Sequence, residues 1–304
     1  MADEKIGFIG LGAMGVGMSK NLLDAGYAVC GFDVNTESMD ALVDAGGTAG
    51  TSPAIVAAST SLLIVCVFSA DQAEEVLFGI DGAVEMLPKG GTVVMCTTMA
   101  PEHSRDIAAR LEKHGHQFID APITGGKRGA DQGSLTVIAS GSDEAMAAAD
   151  GAFKAMGDRV YHVGDAPGAG STVKMINQLL VGVHVVAAAE AMALATKAGA
   201  DPQTVYDVIT HGGGNSVVFE SRVPYMLTED YAPRGVVDIF IKDLGIVADA
   251  ARSLPFPLPL ATAALQQFLS ASASGYGRSD DASVVKVYEQ IAGTNVAAAA
   301  KLKH

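Results

Sequence analysis

Lys174, Asn177 and Gln178 stand at i, i+3 and i+4 at the head of a run that is otherwise mostly Leu, Val and Ala. On a helix these spacings put an amine and two amides on one face. Such a face can bind a small oxyacid and exchange a proton with it. Oxidising an alcohol needs a group that takes the hydroxyl proton, and the protonated amine is the matching acid for the reverse reduction. A free lysine has a pKa of ~10.4, and lowering it by about three units costs about 4 kcal/mol. Desolvation and a nearby positive charge push it down, while a substrate carboxylate pushes it up.

A second pattern is built for phosphate. Ile6-Gly-Phe-Ile-Gly10-Leu11-Gly12-Ala13-Met14-Gly15 reads as a strand ending in G-x-G-x-x-G, with a helical pattern through Leu23. A second strand candidate follows at Ala28–Asp33, and its acid, Asp33, lies 18 residues beyond Gly15. In this context Gly10 permits the tight turn, Gly12 lets the backbone approach a pyrophosphate, and Gly15 allows close helix–strand packing. The helix start then offers unpaired N–H groups to the phosphates. Asp33 accepts hydrogen bonds from ribose hydroxyls and repels a 2′-phosphate, and Phe32–Met39 contains no Lys or Arg to receive one. NAD is therefore expected over NADP. Leu11, Ala13 and Met14 of the turn, with Val67 and Phe68 at the end of another strand candidate, complete the expected cofactor set.

Asp120-Ala-Pro-Ile-Thr124-Gly125-Gly126 also follows a strand candidate, at the carboxyl edge where open α/β sheets bind ligands. Its successive backbone N–H groups and the Thr124 hydroxyl can hold a small carboxylate, though the same residues also suit a plain turn. Thr97-Thr98 follows another strand candidate. Lys242 sits in a largely apolar helical segment, where a lysine is ordinarily a snorkelling surface residue.

The elements that position these residues fall into two regions. Up to about residue 164, strand candidates (Ile6–Gly10, Ala28–Asp33, Leu62–Val67, Thr92–Cys96, Gln117–Asp120, Thr136–Ser140, Val160–Val163) alternate with helices that have start signals such as Ser52-Pro53 and Pro101-Glu102. Continuous apolar strands alternating with helices predict a doubly wound, mostly parallel α/β sheet of the Rossmann type. Residues 165–294 follow as an all-helical domain, punctuated by Asp201-Pro202, Gly212-Gly213-Gly214 and Pro255/Pro257/Pro259. Thr294–His304, mostly alanine and lysine, reads as a loose helical end or tail, with 295–304 set apart from the domain. The two regions are joined by the run from Ser171 to Ala198, which at ~1.5 Å per residue would be a helix of about 42 Å. On that helix His184 and Glu190 are rotated by about 80° and about 160° from Lys174. They read as a core histidine and a structural hydrogen-bond partner.

A net charge of −14 over 304 residues opposes a nucleic acid or an anionic membrane as partner. Cys30, Cys66 and Cys96 lie in apolar strand-like runs without CxxC spacing, as expected of reduced thiols in a cytoplasmic protein. Met1–Lys5 is acidic, unlike a signal peptide, and His103, His114 and His116 have no convincing metal spacing.

The glycine turn, the Asp-Ala-Pro-Ile-Thr-Gly-Gly loop, the Gly168-x-Gly-x-x-x-Lys174-x-x-Asn177 helix start and Lys242-Asp243-Leu244 together resemble the β-hydroxyacid dehydrogenase family, across nearly the whole chain and in order. Asp238–Val247 with Phe256-Pro-Leu-Pro-Leu260, and Thr136–Gly141, are most similar to its L-threonate branch; other branches act on 3-hydroxyisobutyrate or tartronate semialdehyde. The loop commonly carries Ser where this chain has Thr124, which keeps the hydroxyl in a pocket one methyl smaller, and Lys127-Arg128 are extra cations beside it. The resemblance implies that Lys174 is catalytic and that Thr124, Gly125, Gly126 and Asn177 hold the substrate, with Gln178 as the other amide that can face it. It also implies that Thr98 and Lys242 approach the nicotinamide end of NAD, that the site lies in a cleft beside the interdomain helix, and that the protein is a homodimer or homotetramer. The implied reaction is NAD-dependent oxidation of a small hydroxy acid such as L-threonate.

Three other readings compete. A 6-phosphogluconate-type decarboxylating enzyme pairs its lysine with a glutamate seven positions on, where this chain has Val181. A histidine-dependent 2-hydroxyacid dehydrogenase carries its fingerprint mid-chain rather than at the amino end. A catalytically silent dinucleotide-binding scaffold has no need of Lys174 or of an intact glycine turn.

Overall fold

A computed structural model describes residues 5–301. The acidic amino terminus is described only from Lys5, and 302–304 of the expected tail also lie outside the described residues. The chain forms two compact units, Met1–Met175 and Ile176–His304.

In the first unit, β1 (Lys5–Ile9), β2 (Ala28–Phe32), β3 (Thr48–Ala49), β4 (Leu62–Val65), β5 (Thr92–Met95) and β6 (Gln117–Asp120) form a parallel sheet in the order β3-β2-β1-β4-β5-β6. Alternate residues feed two cores. Ile6, Phe8, Leu62, Ile64, Val94 and Ile119 pack on one face. Ile9, Leu63, Val65, Val93, Met95 and Phe118 pack on the other. Burial on both faces explains why the strands read as continuous apolar runs. The order reverses between β1 and β4, the switch point at whose carboxyl end such sheets bind ligands.

The expected doubly wound sheet followed by helices is present, with one refinement. The last two strand candidates belong to a separate sheet, in which β8 (Leu135–Ala139) pairs parallel with β9 (Gly157–His162) and antiparallel with β7 (Ile123–Thr124). An isolated bridge between Asp120 and Ser140 links the two sheets. Strands as short as β3 and β7 span too few residues to show a period.

A helix runs over Ala169–Lys197, and the boundary between the units falls within it. Its length and hydropathy alone would suffice to cross a membrane. Val185, Val186, Ala188, Ala189, Met192 and Ala193 on it are nevertheless buried within the protein.

The second unit is helical. Asp201 caps Pro202–Thr210 by accepting from the Thr204 N–H at 3.0 Å, and Ser216 caps Val217–Thr228 by accepting from the Phe219 N–H at 3.0 Å. The glycine triplet lies between these two helices, Pro255 and Pro257 lie between Val237–Ser253 and Pro259–Ala271, and Pro259 opens the latter. Phe240 and Phe268 stack with centroids 4.9 Å apart. Arg222 holds the buried Asp281 through two nitrogens, at 2.7 and 3.1 Å. The carboxyl-terminal stretch includes a helix, Val296–Lys301, with Val296 and Ala297 buried.

Candidate active site

The loops that leave the carboxyl ends of the parallel strands are laced together. Gly10 N–H donates to Phe32 O at 2.9 Å, Cys66 N–H to Ile9 O at 2.8 Å, Cys96 N–H to Val65 O at 2.8 Å, and Ala121 N–H to Met95 O at 2.9 Å. Val67 N–H donates to the buried Thr97 hydroxyl at 3.1 Å, which fixes the loop carrying Val67 and Phe68; Phe68 itself is exposed. Thr98 is half-buried at the next position.

The glycine turn has the shape a dinucleotide requires. Gly10 adopts φ +95°, and a Cβ there would strike the Cys66 carbonyl. A Cβ on Gly15 would strike the Gly10 carbonyl, so the helix Gly15–Asp24 lies tight against the strand end. Gly12 differs from both: it is exposed, and a Cβ there would meet nothing within 4 Å. The glycine is thus not required by the protein's own packing at that point, which fits a position reserved for a ligand's close approach. Asp33 Oδ2 accepts from Leu11 N–H at 2.6 Å and Oδ1 from Asn35 N–H at 2.8 Å, so the carboxylate stands directly over the turn. These residues suit an NAD pyrophosphate and adenosine ribose.

Thr124 ends β7, Gly125 follows with φ of +131°, and Gly126, with φ of +64°, opens the helix Gly126–Gln132. These conformations favour glycine and leave Thr124 half-buried with both glycines exposed. Lys127 is occupied by Asp131, at 2.6 Å.

Lys174 lies in the second turn of the long helix and is only 6% exposed. A lysine so buried is unusual. The start of this helix is capped from a distance. Asp120, fully buried at the end of β6, accepts through Oδ2 from Gly168 N–H at 3.1 Å and Ser171 N–H at 2.7 Å, and through Oδ1 from the Ser171 hydroxyl at 2.7 Å. Burial pushes the Asp120 carboxyl above its ordinary range, and the Ser171 bonds partly offset this.

In the second unit a chain of polar groups, buried at Gln178 and Asp243, runs between the long helix and Val237–Ser253. Asn177 Nδ2 donates to Gln178 Oε1 at 2.9 Å, Gln178 Nε2 donates to Asp243 Oδ2 at 2.5 Å, and Lys242 Nζ donates to Asp243 Oδ1 at 2.6 Å. Asp243 is 2% exposed. Both ends of the Gln178 amide are therefore engaged within the protein. Glu190 accepts from the Tyr288 hydroxyl at 3.0 Å, the structural part expected for it. His184 is half-buried. Among the described residues no group of His, Cys, Asp and Glu is placed to hold a metal ion.

Comparison with known proteins places this geometry. Residues 5–164 match a family model described as the NAD binding domain of 6-phosphogluconate dehydrogenase. Residues 168–288 match one described as the NAD-binding domain of NADP-dependent 3-hydroxyisobutyrate dehydrogenase. The chain is 46% identical to an L-threonate dehydrogenase of Cupriavidus necator, covering 95% of this chain and 97% of that protein. It is 43% identical to the L-threonate dehydrogenase of Escherichia coli K12, over 95% and 96%. The chain belongs to the β-hydroxyacid dehydrogenase family. Among solved structures, a 3-hydroxyisobutyrate dehydrogenase from Salmonella typhimurium is 44% identical, with a TM-score of 0.89 over 94% of this chain and all of that one. Membership makes the protein an NAD-dependent oxidoreductase of the hydroxyacid dehydrogenase class, with a small molecule as substrate.

Two buried carboxylates were not assigned roles from the sequence. Asp120 was visible only as the first residue of the Thr124 loop, and Asp243 only as the neighbour of Lys242. A buried carboxylate at the end of an apolar strand, or inside an apolar helix, is itself a signal, because it needs several donors to offset desolvation.

Proposed function

We propose that the protein oxidises L-threonate to the corresponding 2-oxo acid with NAD⁺, and that Lys174 is its general base and, in reverse, its general acid. The observation that carries this reading is Lys174 itself, a buried lysine at the head of the long helix in a chain similar along its length to two L-threonate dehydrogenases. NAD⁺, when bound, supplies the hydride acceptor. Gly10, Leu11, Gly12, Ala13, Met14 and Gly15 cradle its pyrophosphate, Asp33 takes the ribose hydroxyls, and Val67, Phe68, Thr98 and Lys242 complete its site.

The Thr124 hydroxyl and the N–H groups of Gly125 and Gly126 bind the substrate carboxylate. Lys174 Nζ, as the neutral amine, accepts the proton of the reacting hydroxyl, and as the ammonium returns it in reduction. Of the two amides on its helix face, Asn177 is the one that turns to substrate. Gln178 is committed to Asp243 and Asn177, and holds the asparagine in place.

We further read residues 1–164 as the NAD-binding domain and 165–294 as the domain for substrate and self-association, in a cytoplasmic homodimer or homotetramer. The exposed Leu254, Phe256 and Leu260 of the second unit support self-association, and the reduced cysteines support the location. Light scattering on the purified protein reads the assembly directly.

A second reading, 3-hydroxyisobutyrate as substrate, is favoured by the Salmonella structure. Initial rates of NAD⁺ reduction with L-threonate, D-glycerate, 3-hydroxyisobutyrate and 6-phosphogluconate separate the cases. The proposal requires L-threonate to give the highest kcat/KM, and a clear preference for any of the other acids would replace it.

A further inference from the structure

The start of the long helix is held by side chains far away in sequence. Ordinarily the first N–H groups of a helix are satisfied by a local cap or by water. Here Gly168 N–H and Ser171 N–H go to Asp120, and Gly170 N–H goes to the Ser140 hydroxyl at 3.1 Å. Asp120 and Ser140 are also the two residues of the bridge between the sheets, exchanging backbone bonds at 2.9 and 2.8 Å. A Cβ on Gly170 would lie 2.5 Å from Asp120 O and 2.6 Å from Ile138 O, so the helix start is pressed onto both strand ends. Asp120, Ser140 and Ser171 are all essentially inaccessible to solvent.

Lys174 follows Ser171 by three residues, so it lies about one turn further along the same side of the helix. Thr124 follows Asp120 by four residues in the loop assigned to the substrate. One carboxylate thus stands at the root of both the base and the loop that presents the substrate to it.

We infer that Asp120 is a positioning residue for Lys174: by gripping Gly168 and Ser171 it sets the height and rotation of the helix start relative to the Thr124–Gly126 loop. This rests on the proposed role of Lys174 and adds to it. The carboxylate has two roles in the grip, accepting two backbone N–H groups and orienting the Ser171 hydroxyl. An asparagine of the same shape presents an NH₂ to one of those donors and breaks it.

The test compares Asp120→Asn, Ser171→Ala and Lys174→Ala with the full-length wild type, with L-threonate and 3-hydroxyisobutyrate as substrates. For each, kcat and KM, the pH profile of kcat/KM, NADH affinity by fluorescence and thermal unfolding are measured. Asp120→Asn is expected to lower kcat by about tenfold or more, because small misplacements of a reacting group cost up to about 10²-fold. It should also displace the pH limb set by Lys174, with NADH affinity within about threefold of wild type. Ser171→Ala keeps the backbone bonds and loses only the hydroxyl, so a smaller fall in kcat in the same direction is expected; it stands as the test if Asp120→Asn does not fold. A folded Asp120→Asn or Ser171→Ala with wild-type kcat and an unmoved pH profile overturns the inference, even if its unfolding temperature falls. In that event a dead Lys174→Ala leaves the lysine assignment standing, whereas an active Lys174→Ala overturns both.

Discussion

The carboxylate of Asp33 accepts the backbone N–H of Leu11 at 2.6 Å, tying the acid at the end of β2 to the glycine turn at the end of β1. Its second oxygen is held by Asn35 N–H, so the charge is fixed over the turn, where we propose the adenosine ribose to lie. Replacing Asp33 with Arg removes the repulsion of a 2′-phosphate and supplies a partner for it. The ratio of kcat/KM for NADP over NAD should rise by about tenfold or more, the worth of at least one charge-assisted bond. An unchanged ratio would show that selectivity lies elsewhere.

Gly12 and Gly15 belong to one motif but should fail in opposite ways. A methyl at Gly12 meets no protein atom, so Gly12→Ala should leave unfolding free energy within about 0.5 kcal/mol of wild type while weakening NADH binding by about tenfold or more. Gly15→Ala drives a methyl into the Gly10 carbonyl and should lower stability measurably in the apoprotein. Paired urea denaturation and NADH titration read both effects. Equal loss of stability in the two variants would contradict the assignment of Gly12 to the ligand.

Asp243 holds Lys242 and Gln178 from a buried position. Removing it in Asp243→Ala takes a buried charged partner from Lys242 and an acceptor from the Gln178 NH₂, and should cost about 2–4 kcal/mol. In a double-mutant cycle with Gln178→Ala the two changes should couple by about 1 kcal/mol or more, since they share one hydrogen bond. Strict additivity in denaturant unfolding would mean that this bond does not contribute.

Burial pushes the Cys66 thiol up to about 12 and the Cys96 thiol well above its ordinary value. The thiolate is the reactive form, so both should resist iodoacetamide at pH 8 in the native protein and react readily once it is unfolded. The shift also has a stability sign. The folded state keeps its proton on Cys66 over a range where the unfolded chain, with a thiol pKa of about 8.5, has lost it. That contribution is complete below the unfolded value and is lost as pH rises from there through about 12. Mass spectrometry of the labelled native protein checks the first expectation, and rapid modification of Cys66 at pH 8 would contradict it.

Much of this was legible in the residues because the physical demands there are local. Five of the six parallel strands, β1, β2, β4, β5 and β6, are largely buried apolar runs, whereas β3 is an exposed pair of residues, and the glycine turn reports a backbone conformation that few other residues adopt. The long helix was readable because nothing in Ser171–Ala198 breaks it. The separate sheet was not, since β7 is two residues long and its partner β8 follows only after a short helix. Asp120 and Asp243 were not either. Apart from Lys242 beside Asp243, the partners cited for their carboxylates lie 48 to 65 positions away, at Gly168, Ser171 and Gln178, and a long-range hydrogen bond leaves no periodicity to read. The rivalry between Asn177 and Gln178 was likewise undecidable from helix spacing alone. In the structure Gln178 is bonded through both its oxygen and its nitrogen and Asn177 through its nitrogen, a difference that helix spacing does not carry.

Lys174 is the proposed proton-transfer group, and the most direct measurement of that role is steady-state turnover of Lys174→Ala alongside its NADH affinity. Losing a positioned acid–base group costs about 10²–10⁴-fold, so kcat with L-threonate should fall by at least about a hundredfold while the NADH dissociation constant stays within about threefold. Wild-type turnover in a folded, NADH-binding Lys174→Ala would contradict the account.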